Sequence, residues 1–318
     1  MATLINADKP QLWKTDIAAS VDQFNQWFMI FAPEAFRSTR IKTTEHVKAA
    51  LLATRDLRSI DAATLASNPS ALPTLRMCTA PPLAVDRLIG LADASKNLVK
   101  SMEDGKLPLR MPRIKLDLEL AKLCIIISRM LDRDIFPWLN AATDPTDLER
   151  DRASTIVADR LCGAVANPIV RNAQEKRQLK LIGDWLDDRG YRPQVHPSGK
   201  LLTDMDAGTY AFRMNLAVGK AHKVNIPVDV VIQPKSLRQD RLPFLIEAKS
   251  AGDFTNTNKR RKEEATKIHQ LQEALGMSVT FVLFLCGYFG SDYLGYEAAE
   301  GIDWVWEHRI DDLAKLGL

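Results

Sequence analysis

The strongest constraint on this chain is a change in hydrophobic period near residue 190. Before it, apolar residues recur every three or four positions, which gives a helix one buried stripe. After it the period drops towards two and β-branched residues gather, the pattern of half-buried strands. A helical half followed by a mixed α/β half is therefore expected. In the first half Val21, Phe24, Trp27, Phe28 and Phe31 mark a helix over 13–31, which Pro33 should close. Thr43 and Thr44 can cap a second helix running to Ala53. Further helices are expected over 83–91, 116–131, 147–161 and 173–188. In the second half strands are expected over 210–218, 224–232, 244–249 and 279–285. A polar helix over 258–275 separates the last two and is stopped by Gly276. A strand-like piece over 303–307 and a short helix from Ile310 finish the chain.

The chain has 318 residues, long for one core, so two domains are expected, 1–165 and 166–318. With 46% hydrophobic and 26% charged residues the core can be sizeable. A formal net charge of +3 permits a polyanionic partner without demanding one. Cys78, Cys124, Cys162 and Cys286 are far apart with no C-x-x-C pair, which argues against a zinc ribbon and a disulfide scaffold. The first ten residues lack the basic-then-apolar order of a signal peptide. No apolar run approaches the roughly 20 residues of a membrane helix. A soluble, cytoplasmic protein is expected, with reduced cysteines.

The segment Pro243-Phe-Leu-Ile-Glu-Ala-Lys-Ser250 is an apolar strand ending in charge. Alternate side chains of a strand share a face, so Glu247 and Lys249 point the same way. The strand before it places Asp229 inside a similar apolar run. If the two strands pair as an antiparallel hairpin across 233–242, Asp229 lies beside Glu247. Two neighbouring carboxylates repel unless a cation sits between them. Mg²⁺ suits such a pair, because it takes carboxylate oxygens, keeps several waters and accepts phosphate. A second acid-x-Lys string, Asp104-Gly-Lys106, has no strand around it and reads as a solvated loop. Glu247 and Lys249 could also be a plain surface ion pair, which would contribute little to stability.

Thr255, Asn256, Asn258, Lys259, Arg260, Arg261 and Lys262 gather hydroxyls, amides and four consecutive positive charges at the head of the following helix. Cations there oppose the helix dipole and would favour an anion. A solvated face balanced by Glu263 and Glu264 is the plainer explanation.

Asp229 … Glu247-Ala-Lys249, set on strands and flanked by helices, resembles the PD-(D/E)XK nuclease fold. Pro227 stands two positions before the aspartate and not directly before it. Ile246 to Ala265 and Leu75 to Leu91 resemble, more narrowly, the XamI-type restriction endonucleases. That resemblance implies a mixed α/β fold: a restriction-endonuclease-like core behind a large N-terminal all-helical domain for DNA recognition and dimerisation. It implies a type II restriction endonuclease acting on double-stranded DNA at a specific, palindromic site and leaving 5′-phosphates. Asp229, Glu247 and the backbone carbonyl of Ala248 would hold Mg²⁺, and Lys249 would orient or deprotonate the attacking water. A further acid often comes from the helix before the first strand; Glu175 is the candidate, with Asp184, Asp187 and Asp188 competing. A homodimer and a cognate DNA methyltransferase are expected partners. A junction resolvase or repair nuclease of the same fold, or an inactive DNA-binding relative, are the competing readings.

Arg37, Arg40, Lys42, Arg110, Arg113 and Lys115 could touch phosphates or could be solvated surface. Arg76 and Arg87 lie in a proline-interrupted stretch expected to form a recognition loop. His196 lacks a ligand-spaced partner and reads as a loop residue. Trp304 and Trp306 share a strand face and suit core packing or a subunit interface. Tyr288, Phe289 and Tyr293 suit covering the sheet better than stacking on bases.

Overall fold

The computed structural model describes residues 4–141, 143–195, 201–218, 224–255, 257–276 and 278–318, without the side chains of 224 and 257–261. His196 and Asn256 lie outside the described residues. The fold is mixed α/β, and the chain divides into two compact units, 32–170 and 1–31 with 171–318.

The unit of residues 32–170 is helical. It contains α2 (Ala62–Ser67), α3 (Leu72–Met77), α4 (Val85–Ala92), α5 (Lys96–Glu103) and α6 (Arg113–Met130). It also holds residues 32–53 of α1 (Pro10–Ala53) and 147–170 of α7 (Asp147–Asp188). Its core gathers Val47, Leu51, Leu65, Leu75, Leu98, Leu120, Leu123, Trp138 and Val157. The expected recognition loop is partly helical, and Arg76 belongs to the fold instead. Its Nε and Nη2 donate to Glu103 at 2.8 and 2.6 Å, and Nη1 donates to the Leu83 carbonyl. This guanidinium is buried at 5% exposure and forked onto a carboxylate, so it serves the fold. Arg87 is exposed.

Two prolines fail to break helices. Pro33 lies inside α1 and Pro168 inside α7, so each of two expected helix pairs is one helix, of 44 and 42 residues. Proline removes one backbone hydrogen bond and crowds the preceding turn; in a helix anchored by packing on either side of it, that local loss is outweighed. Thr43 and Thr44 consequently cap nothing: their hydroxyls donate back to the Arg40 carbonyl at 3.0 and 2.8 Å. What ends α1 is a left-handed run at Arg55, Asp56 and Leu57, with φ of 49°, 53° and 68°.

The other unit is a sheet covered on both faces. Among the described residues six strands stand in chain order: β1 (Arg192–Pro193), β2 (Thr209–Val218), β3 (Val224–Gln233), β4 (Phe244–Ala251), β5 (Thr280–Gly287) and β6 (Asp303–Trp306). β1 is parallel to β2; β2, β3 and β4 are antiparallel; β4, β5 and β6 are parallel. Parallel neighbours need a crossover, and α8 (Thr257–Leu275) and α9 (Ser291–Ala299) supply the two. One face carries Ile246, Val282, Phe284 and Val305 against Ile182, Trp185 and Leu186 of α7. The other carries Leu245, Leu283, Leu285, Trp304 and Trp306 against Ile268 and Leu271 of α8 and Tyr293 and Leu294 of α9. The two tryptophans and Phe289 are core residues. α8 ends as expected, with Gly276 at φ +100° donating to the Gln272 carbonyl.

All four cysteines are buried and free, and burial pushes their thiols up, Cys124 to about 12. They pack as small apolar groups. No described helix is long and apolar enough to cross a membrane.

Candidate active site

The site forms where β3 and β4 part. They pair at Val230↔Ile246, Val231↔Leu245 and Ile232↔Phe244, and the next step of that register sets Asp229 opposite Glu247. There the ladder stops. A side chain takes over from the backbone: Asp229 Oδ2 accepts the Ala248 N–H at 2.9 Å. β4 stays pinned on its other edge by β5 as far as Ala251↔Gly287, so Glu247 and Lys249 are held on a rigid strand.

The β2–β3 ribbon changes face at the same level. Leu216, Val218, Ile226 and Val228 join the core under α8 and α9, as do Ala211 and Val231, although the two sets differ in parity. The reversal falls at Arg213 and Asp229, between the pairs Phe212↔Val230 and Met214↔Val228. Arg213 accommodates it with φ +52°, uncommon for a residue with a side chain. Backbone strain of this kind gathers at functional sites.

Glu247 is 7% exposed and its two oxygens are shared by two lysines. Lys249 Nζ donates to Oε1 at 3.0 Å, and Lys267 Nζ, from α8, donates to Oε2 at 2.6 Å. Glu264, one helical turn before Lys267, is 1% exposed; its Oε1 lies 3.8 Å from Lys249 Nζ, and its Oε2 accepts from Tyr293. Burial, then the charge of Glu247, raises the Asp229 carboxyl to about 6. Glu264 is raised by burial. For Lys249 burial works against the charge, but Glu247 and Glu264 outweigh it and its pKa lies above the ordinary lysine value. The site is thus a set of crowded acids whose charges are only partly answered by ammonium groups.

The structure sets Lys249 on Glu247 and Asp229 on the neighbouring Ala248 N–H. The sequence did not find Glu264, Lys267 or Tyr293. A signal existed: Glu264 and Lys267 lie on the stripe of α8 that carries the buried Ile268 and Leu271, where charge is out of place. The acids of α7 are engaged elsewhere. Glu175 pairs with Arg213 at 2.7 Å, Asp184 with Lys180, and Asp187 accepts from the Tyr210 hydroxyl at 2.8 Å; Asp188 is exposed. α7 packs on the sheet face opposite Glu247 through Leu179, Ile182, Trp185 and Leu186, and among the described residues none of the four forms a metal-holding cluster with Asp229 and Glu247. Thr255 is exposed, and its N–H and hydroxyl donate to Asp253. Lys259, Arg260, Arg261 and Asn258 belong to the first turns of α8, and their side chains lie outside the described residues.

Among the described residues no cluster of three or more His, Cys, Asp or Glu is arranged to hold a metal. Two carboxylates suffice for an ion that completes its shell with water and phosphate, and Asp229, with its ionisation suppressed by burial and by a neighbouring acid, is the kind of ligand a divalent cation would relieve.

Residues 55–306 match the family model described as XamI restriction endonuclease. The chain is 55% identical over 314 residues to the type II restriction enzyme SalI of Streptomyces albus G, covering 99% of this chain and all of that protein. No solved structure matches.

Proposed function

The chain belongs to the XamI restriction endonuclease family, and on that premise we propose that it is a type II restriction endonuclease that hydrolyses phosphodiester bonds at one specific site in double-stranded DNA. The observation that carries the reading is the Asp229 carboxylate opposite Glu247 at the point where β3 and β4 separate.

Asp229 and Glu247 would hold Mg²⁺, helped by the Ala248 carbonyl. Bound there, the ion supplies Lewis-acid stabilisation of the scissile phosphate and a water of lowered pKa. The Ala248 N–H keeps Asp229 aimed. Lys249, held protonated by its acidic neighbours, works as a donor that orients the attacking water and steadies charge on the phosphate. In-line attack with departure of the 3′ oxygen leaves 5′-phosphate ends. Thr255, Asn256, Asn258, Lys259, Arg260, Arg261 and Arg87 are the proposed phosphate and DNA contacts. A homodimer fits a palindromic site, because a two-fold protein presents one active site to each strand. A cytoplasmic location and a partner methyltransferase that protects host DNA follow from the same reading.

The test is digestion of plasmid DNA with Mg²⁺, with sequencing of fragment ends. Discrete fragments with 5′-phosphates are expected, lost in Glu247→Ala and reduced at least ~100-fold in Lys249→Met. Cutting of branched DNA alone, or an unchanged pattern in Glu247→Ala, would sink it.

A further inference from the structure

Both oxygens of Glu247 are held by ammonium groups of the same chain, and the two cations are not equivalent. Lys249 stands on β4 beside Glu247 and has a second carboxylate within reach, Glu264 Oε1 at 3.8 Å. If Glu247 turns to another cation, Lys249 keeps a counter-charge. Among the described residues Lys267 has no second carboxylate in ion-pair contact. Among the described residues Glu247 is the carboxylate it pairs with, and its other neighbour is the Phe281 ring, 5.9 Å from Nζ to the centroid. A side chain 14% exposed gains little water in exchange.

The ammonium at 2.6 Å from Oε2 fills the space that a divalent ion bound to that oxygen, at ~2.1 Å, would need. Two cations cannot share one carboxylate oxygen at such separations without strong repulsion in a partly buried site. A metal ion would answer Glu247 as Lys267 does, with twice the charge.

We propose that Lys267 is a resident counter-ion that stands in for the divalent metal at Glu247. It holds the acids together while the site is empty of metal, and it must be displaced for metal to bind. The free metal concentration needed to load the enzyme is then set partly by this side chain. This inference rests on the reading of Asp229 and Glu247 as the metal ligands.

The two fail differently in one experiment. Mn²⁺ binding to the full-length protein without DNA is measured by calorimetry or by the electron paramagnetic resonance of free Mn²⁺. Wild type, Lys267→Met, Lys267→Arg and Asp229→Asn are compared, with unfolding midpoints in EDTA and in Mn²⁺. Lys267→Met should bind Mn²⁺ roughly three- to tenfold more tightly, the scale of one partly buried ion pair. It should also melt lower in EDTA and gain more from Mn²⁺ than wild type does. Lys267→Arg keeps the charge and should stay at the wild-type affinity. Unchanged or weaker binding in Lys267→Met, or equal tightening in Lys267→Arg, overturns the counter-ion role while leaving the ligands intact. If Lys267→Met is unfolded in EDTA, a midpoint in Mn²⁺ no higher than wild type overturns it as well. Wild-type binding in Asp229→Asn removes the ligand assignment and the inference together.

Discussion

Asp229 sits where an ionised carboxyl works against the fold. Its carboxyl is raised from 3.8 to about 6 by burial first and by Glu247 second. A raised acid favours folding while protonated, so its contribution is complete below about pH 4 and is lost as pH rises through about 6. Asp229→Asn should therefore stabilise the metal-free protein at pH 7.5 by about 1–3 kcal/mol, read from denaturant unfolding in EDTA. The wild type's advantage at low pH should vanish in that variant. A variant no more stable than wild type, or one that keeps the same pH profile, would remove burial cost from the account. At this scale the sequence was most readable for residues on strands. Period-two alternation alone sets Glu247 and Lys249 on one face, and the apolar run around the half-buried Asp229 marks the acid as out of place. It was least readable on α8, where Glu264 and Lys267 sit in a helix so polar that they look solvated. Only packing of that helix on β4 turns them inward.

Among the elements, the pairing of β4 with β5 fixes the site, and it closes on one unusual contact. Gly287 has φ +97°, and a Cβ there would lie 2.1 Å from the Ala251 carbonyl oxygen, which also accepts the Tyr288 N–H. Gly287→Ala should cost at least about 2 kcal/mol, from a disfavoured backbone and a backbone clash together. Chemical denaturation would show it, and an effect below about 0.5 kcal/mol would contradict the geometry. Strand positions and the bounds of α8 could be read from residue pattern because turns and a glycine stop punctuate them. The two long helices could not. Pro33 and Pro168 carry the usual breaker signal, and what overrides it is burial of residues distant in sequence, such as Val47 against the core built around Leu120. The short helices α2, α3, α5 and α9 are missed for a related reason: six to nine residues hold too few turns to show a period.

For the whole molecule, the change of period near residue 190 announces a sheet but not which other segments belong with it. Residues 1–31 fall in the unit of the sheet, although their pattern is as helical as that of the residues after them. One carboxylate ties down the start of this segment: Asp303 at the start of β6 accepts the backbone N–H groups of Ile5, Asn6 and Ala7. Asp16, farther along α1, holds Arg309 at 2.8 Å. Residues 5–16 leave the ribosome long before their partners at 303 and 309 exist, so these contacts can form only once that later stretch has been made. Nascent chains stalled at residue 300 should therefore lose residues 5–31 to brief protease treatment, while full-length protein resists. Protection of that segment in stalled chains would refute the idea. A restriction endonuclease of this family is thus held short of its finished fold until residues 303–309 have been made.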